Sequence, residues 1–404
     1  MKKTIGQLVD FLGLKRNVSA VLVMAVLLGM GEKMSERFLP IYILAVGGST
    51  IAVGLLNGMD NFLGAVYAFQ GGYLSDKLGY KRALLIFNLV SLIGYFIALI
   101  FTTWQAVIIG AILFISWSSV SFPATMDLIA SSLDPKKRTM GVSMLSLVRR
   151  IPMALGPLIG GVLITLFGNV EGVRYAFIAA IVFGVAALIL QQVWINEIYI
   201  EKKAESNPFN ILKFFTSDLR NLLVSDILIR FCEQIPFPFA VIWAVNMNGI
   251  SPLQFGILTT IEMITAMLVY IPIAYLADKN TKKPFVLMTY FFFTIFPLVL
   301  LLSRSFSLMV IAFIIRGLKE FGEPTRKALI MDLAPEDRKA SIFGLYYLIR
   351  DFIVSLAAFG GAFLWNISPK VNFLTAFGFG IIGSVFFLFF GRDLSQNRFT
   401  RSTS

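Results

Sequence analysis

Residues 73–77 read Tyr73-Leu74-Ser75-Asp76-Lys77, and half a chain later residues 275–279 read Tyr275-Leu276-Ala277-Asp278-Lys279. Each stretch closes a long apolar run at a polar loop. Working outward, Asp60 precedes Asp76 by the same distance as Glu262 precedes Asp278, Pro123 answers to Pro324, and Pro135 with Arg138 answers to Pro335 with Arg338. Arg150 then matches Arg350, and Gly160-Gly161 matches Gly360-Gly361, all in the same order. Shared apolar composition would align leucines between any two lipid-facing helices. Ordered matches of charged, proline and glycine residues require a duplicated chain.

Of the 404 residues, 57% are hydrophobic and only 14% charged, against roughly 25% charged in a soluble domain. Such a chain cannot bury its apolar surface in a water-soluble core. Apolar runs recur over 18–44, 50–71, 80–102, 105–130, 141–167, 174–195, 219–245, 252–276, 284–303, 307–332, 341–365 and 371–391, each long enough to cross about 30 Å of hydrocarbon as a helix. The reading is an all-α polytopic membrane protein with 12 transmembrane helices in two pseudo-symmetric six-helix bundles. Residues 1–195 form the first bundle, the polar stretch 196–218 a linker, and 219–404 the second bundle with a short tail. Two halves of like topology are the parallel-repeat plan of secondary transporters, whose substrate sites lie near the midplane.

The net charge of +12 is explained by where the basic residues fall. Among the 35 Lys and Arg, only Arg174, Arg304 and Lys370 lie on the side opposite the termini. Lys33, Arg37, Arg149, Arg150, Arg230, Arg316, Lys319 and Arg350 are placed within spans, and the rest gather at the termini and the loops on their side. By the positive-inside rule both termini and the linker are cytoplasmic, in the plasma membrane, with no nucleic-acid partner. The polar and basic residues before the first helix carry no small-residue cleavage site, so that helix is expected to direct insertion itself. With one cysteine, Cys232, and no histidine, neither a disulfide, a metal site nor a cofactor is expected.

The end of the second span reads Gly72-Tyr73-Leu74-Ser75-Asp76-Lys77-Leu78-Gly79-Tyr80-Lys81-Arg82. Gly72 permits close helix approach, Gly79 a tight turn, and Asp76 can face the positive end of another helix. This stretch resembles the signature loop of the major facilitator superfamily. The resemblance implies a gating motif of Gly72, Asp76, Lys77, Gly79, Lys81 and Arg82, in which the aspartate latches the two halves on the cytoplasmic side. The family commonly has an arginine at the place of Tyr80, paired with an acid near the end of the fourth helix, a role Asp127 would fit; either Lys81 substitutes or the latch is weaker. The fifth span contains Gly156-Pro157-Leu158-Ile159-Gly160-Gly161, which resembles the end of the motif of the family's drug/proton antiporters. Its upstream glycines are replaced by Pro152 and Ser143. Independently of the family, Gly156, Pro157, Gly160 and Gly161 form a kinked, flat packing surface. The arginine that many family members carry in the fourth helix is absent from Ile115–Ser119, and Arg316 in the tenth is a candidate counterpart.

Ionisable residues within spans cost roughly 2.5–3.5 kcal/mol each on insertion scales, so they are expected to face inward and to have partners. Counting depth outward from each loop places Arg37 level with Asp60, Asp127 with Arg149, and Glu323 with Arg350, giving three candidate ion pairs. Glu32 and Glu36 share a helix face, as do Lys33 and Arg37. A carboxylate that loses its basic partner as access changes takes up a proton, so Asp60, Glu262, Glu32, Glu36, Glu233 and Glu320 are candidate coupling groups. Arg37, Arg149, Arg150 and Arg350 are their partners or anchors for an anion. The same bridges can instead serve only helix packing. Trp117 and Trp243 are candidates for stacking on an aromatic solute, though membrane aromatics more often pack.

The leading expectation is a monomeric carrier working by alternating access, exporting an amphipathic or drug-like small molecule in exchange for protons. Uptake or exchange of an anionic metabolite or lipid-like solute is the alternative, favoured by the intramembrane basic residues. A membrane-embedded enzyme is disfavoured by the lack of a nucleotide loop, a histidine site or a catalytic triad, and a channel by the two-half repeat. Besides substrate and protons, membrane lipid is the one partner implied.

Overall fold

The structure, a computed structural model, describes residues 16–114, 117, 121, 124, 125, 128, 129, 138–196, 213, 215–278, 281–334 and 339–392. Asp127 and most of the 196–218 linker lie outside the described residues, as does the side chain of Asp76. Helix α1 is Arg16–Glu36, α2 Leu39–Ala45, α3 Thr50–Leu78, α4 Tyr80–Ile100, α5 Trp104–Phe114, α6 Arg138–Trp194 and α7 Ser217–Gln234. They are followed by α8 Pro252–Asp278, α9 Lys283–Leu302, α10 Phe306–Leu318, α11 Glu323–Leu333, α12 Lys339–Ile367 and α13 Pro369–Phe390. Among the described residues, eight helical stretches are long and apolar enough to cross a membrane. Side chains cap the starts where the sequence supplies them: Ser49, Thr216, Ser305 and Ser368 each accept the backbone N–H three residues on, satisfying a donor that the helix leaves unpaired.

Some of these elements are pieces of one pass. Pro40 sits in the first turn of α2, and the turn at Arg37-Phe38 before it breaks the first span. Pro236 and Pro238 end α7, after which the chain resumes as Phe239–Val241 and a π-helical stretch, Ile242–Met247. Between α10 and α11 a 3₁₀ turn, Lys319–Gly322, precedes Pro324. In each case a proline lacks the N–H that a continuous helix needs. The long α6 is two passes separated at Gly168 (φ 83°, ψ 171°), a conformation that glycine adopts without a steric cost. Gly79, between α3 and α4, has φ 83°, as a tight turn there requires.

Two compact units are present: Met1–Ala52 with Leu63–Glu205 and Ser251–Gly256, and Val53–Phe62 with Ser206–Ile250 and Ile257–Ser404. In the first, α1 lies along α6 and α4 packs on α5 and α6, around a core that includes Val21, Met24, Tyr80, Phe87 and Leu128. In the second, α13 packs on α7 and α9, around Leu222, Tyr290, Phe293, Leu329 and Phe387. The exposed faces are apolar too. On α4 the outward stripe is Ile86, Leu89, Ile93, Phe96 and Ile100, at helical spacing, the inverse of a water-facing helix.

The duplication reappears in how the last helix of each half is closed. The Asn17 amide donates to the Asn196 carbonyl (3.0 Å) and Lys81 Nζ to the Gln192 and Ile195 carbonyls (3.1 and 2.6 Å). In the second unit Asn221 donates to the Phe390 carbonyl (3.3 Å) and Lys283 Nζ to the Leu388 carbonyl (2.8 Å). An amide and a lysine satisfy terminal carbonyls and complement the negative helix end in both halves.

Candidate functional site

The charged residues that hydropathy places inside the membrane form, in the second unit, one continuous network. Its first link is made where Gly317 of α10 lies against the backbone of α8: a Cβ there would come within 2.5 Å of the Glu262 carbonyl oxygen. That approach sets Arg316 Nε 3.1 Å from Glu262 Oε1, with both side chains almost wholly buried, and Lys319 Nζ 3.8 Å from the same oxygen. Lys319 reaches Glu233 at 2.6 Å, and Arg230 holds the other oxygen of Glu233 at 2.6 Å. Arg230 continues to Glu323 at 3.4 Å. Glu323 receives a fork from Arg326 (2.7 and 2.8 Å), and Arg326 also pairs with Asp226. Asp226 further accepts from the Tyr346 hydroxyl (3.2 Å) and lies 3.5 Å from Arg350, which pairs with Asp351 at 2.7 Å.

Among the described residues, five acids, Asp226, Glu233, Glu262, Glu323 and Asp351, therefore meet five bases with buried or half-buried side chains, Arg230, Arg316, Lys319, Arg326 and Arg350, and Lys327, its side chain 45% exposed, adds a sixth at 3.5 Å from Glu323. Burying a charge in a low-dielectric interior is tolerable only with such compensation. The network runs through both breaks of the second unit. Glu233 and Gln234 stand at the end of α7, and Lys319 and Glu320 form part of the 3₁₀ turn before α11. Discontinuous helices are where membrane carriers expose backbone and charge to a substrate. At this end Phe237, in the α7 break, places its ring 5.2 Å from the Arg316 guanidinium, and Phe296 and Phe313 place theirs at 5.1 and 5.6 Å.

In the first unit, Lys33 bridges Glu32 (2.9 Å) and Glu36 just before the α1 break. The backbone carbons of α1 are pressed against α6 here: a Cβ on Gly156 would stand 2.6 Å from Lys33 Cβ, and one on Gly160 2.0 Å from the Met34 carbonyl oxygen. Glu32 also lines a small pocket with Asn88, Ser91, Tyr95 and Trp117. Arg37, Arg149 and Arg150 are partly buried, as is Asp60 of the second unit.

Several sequence expectations meet the structure differently. Glu323 and Arg350 do not pair with each other; they belong to one network joined through Arg326 and Asp226, because guanidinium groups on α7 and α11 reach Glu323 first. Arg326, assigned to the loop-side group, is 1% exposed and joins Asp226 to Glu323 within the network. Tyr346 was equally invisible as a carboxylate partner. No hydropathy signal marks either, although the position of Arg326 one turn after Glu323 is an i, i+3 ion-pair signal. Tyr80 is buried and donates to the Asn196 carbonyl at 2.8 Å, while Lys81 caps the end of α6. Lys77 lies over the Tyr73 ring (5.8 Å), and Arg82 is exposed. Trp117 donates to Asn88 (2.7 Å) and Trp243 to the Leu300 carbonyl (2.9 Å), which are packing roles.

The sequence profile of the Major Facilitator Superfamily matches residues 21–226 and again 222–403. The chain belongs to the Major Facilitator Superfamily. The double match restates the internal repeat, and the 12-helix fold of a multi-pass membrane transporter follows. An uncharacterized MFS-type transporter of Methanocaldococcus jannaschii is 26% identical over 405 residues, covering 93% of this chain and 95% of that protein. Among solved structures, the nucleoside transporter NupG superposes with a TM-score of 0.76 at 14% identity, covering 94% of this chain and 100% of the other. A POT family transporter in complex with a thioalcohol-conjugated peptide gives 0.77 at 10% identity, covering 93% and 96%. These likenesses are of fold.

Proposed function

We propose that this membrane transporter is a proton-coupled secondary carrier of amphipathic organic solutes, working by alternating access between its two six-helix halves, with both termini and the 196–218 linker in the cytoplasm of a plasma-membrane protein. The observation that carries the reading is the continuous ion-pair network through the α7 and α10–α11 breaks. Glu262 is buried at one end of it, held by Arg316 and neighboured by Lys319. When a substrate or a change of access draws a base away, the carboxylate is left in a low-dielectric site and takes a proton to lose its charge. Protonation and solute binding are thereby linked without any cofactor. Export of a drug-like compound fits the Gly156–Gly161 resemblance. Uptake or exchange of an anionic solute is the second reading, favoured by the ring-enclosed Arg316.

The test is a thermal-shift screen of the purified protein against drugs, lipids and organic anions, followed by transport of each hit in proteoliposomes. With Glu262→Gln we expect gradient-driven accumulation to fall to the uncoupled level while substrate exchange, which needs no net proton movement, persists. Full accumulation in that variant would remove Glu262 as the coupling group and leave Asp60, Glu32, Glu36, Glu233 and Glu320 to be tested in turn.

A further inference from the structure

The Arg316 end of the network differs from the rest in its surroundings. Arg326 is enclosed by two carboxylates and lies among tyrosines, whereas the Arg316 guanidinium is enclosed by the rings of Phe237, Phe296 and Phe313 and meets the carboxylate of Glu262 through Nε. A planar cation among aromatic faces is weakly hydrated and suited to a flat carboxylate. Phe237 is only partly buried and sits in the α7 break, next to the partly buried Glu233 at the end of α7, which holds the buried Lys319 of the facing 3₁₀ turn. A ligand entering at the breaks would meet the partly buried Phe237 and Glu233 before the buried Lys319 and Arg316.

Resting on the carrier reading above, we propose that this aromatic-lined Arg316 is the seat for the carboxylate of an aromatic or amphipathic organic anion, which displaces Glu262 and enters together with one proton. The exchange of partners at Arg316 sets the stoichiometry. Beside Glu262 lie Arg316 and Lys319 from α10 and its 3₁₀ turn and, one pair further, Glu233 and Arg230 from α7. Arg316 pairs with Glu262, so an anion that takes the guanidinium leaves the buried Glu262 carboxylate without it. The ligand carboxylate accepts the guanidinium hydrogen bond, and the displaced Glu262 carboxylate takes one proton from water. One anion and one proton are bound, and no net charge is added to the site. Export against a proton requires that solute and proton exclude each other at the site, whereas here they bind together, so the seat decides between the two transport readings.

The experiment uses the full chain in lipid nanodiscs and three probes of one shape: cinnamate, the neutral cinnamamide and protonated cinnamylamine. Binding is followed by calorimetry in buffers of different ionisation enthalpy, which counts protons. Cinnamate should bind most tightly, with about one proton taken up per anion, and its affinity should fall as pH rises. Glu262→Gln should bind cinnamate without proton uptake and with a flat pH profile. Arg316→Gln should weaken cinnamate at least about tenfold, the worth of one charge-assisted hydrogen bond. If that variant fails to fold, the charge-neutral pair Arg316→Gln with Glu262→Gln carries the same expectation. Absence of cinnamate binding, equal binding of the amide, or binding that survives loss of Arg316 overturns the anion seat. If cinnamylamine binds instead, releasing a proton that Glu262→Gln abolishes, the seat falls while Glu262 remains the coupling group. Proton uptake with cinnamate that persists in Glu262→Gln overturns the assignment of the proton to Glu262.

Discussion

At the scale of single residues, the weight of the second unit rests on Arg326. It is 1% exposed and joins Asp226 to Glu323. Replacing it by methionine keeps much of its length but leaves two buried carboxylates short of a base, a change that costs about 3–5 kcal/mol in buried networks. Arg326→Met should therefore lower the apparent melting temperature of the purified protein markedly. Adding Asp226→Asn and Glu323→Gln to Arg326→Met should recover part of that loss, because the energies of groups in one network do not add. Equal melting of the single variant and the wild type would show that the network relaxes with water and is not held by its pairs. This differs from the expectation at Glu262, where neutralisation changes coupling.

At the scale of elements, glycines that the repeat aligns are not equivalent. Gly160 and Gly360 occupy matching places in the sequence, yet a Cβ on Gly160 would stand 2.0 Å from the Met34 carbonyl oxygen, while one on Gly360 meets nothing within 4 Å. Gly160→Ala must push α6 off α1, and overpacking of this kind costs about 1–3 kcal/mol. Gly360→Ala removes a helix-interior glycine without a clash and should be neutral or stabilising by up to about 1 kcal/mol. Melting of the two variants side by side checks both signs. The adjacent Gly361, against Ile235 of the second unit at 2.5 Å, carries the packing that its repeat partner Gly161 gives to Pro252. The helix breaks belong to this scale too: Pro40, Pro236, Pro238 and Pro324 are visible in the sequence, but what they do is turn charged neighbours toward one another.

At the scale of the whole molecule, the distribution of Lys and Arg predicts that both termini and the linker share the cytoplasmic side. In a Cys232→Ser background, cysteines placed at Ser206 and at the exposed Thr102 should react from opposite faces of the membrane. An impermeant maleimide added to intact cells should label Thr102→Cys and spare Ser206→Cys; labelling of both, or the reverse order, would overturn the topology. Hydropathy, basic asymmetry and repeat order are one-dimensional properties, and from them the sequence alone determined the membrane class, the duplication and the family, while the second span runs seven residues past its expected end, to Leu78. It also determined that buried acids and bases must find one another, since lipid offers them no other partner. Only the tertiary structure decided the pairing. Depth counting ranks residues along a helix axis, but not by rotation about it or by the reach of a guanidinium, so it joined Glu323 to Arg350 and overlooked Arg326. The ring-lined setting of Arg316 draws Phe237, Phe296 and Phe313 from three separate passes, and the close approach of Gly317 to Glu262 sets the depth of the site; both depend on side-chain packing between helices, which no periodicity along one of them encodes.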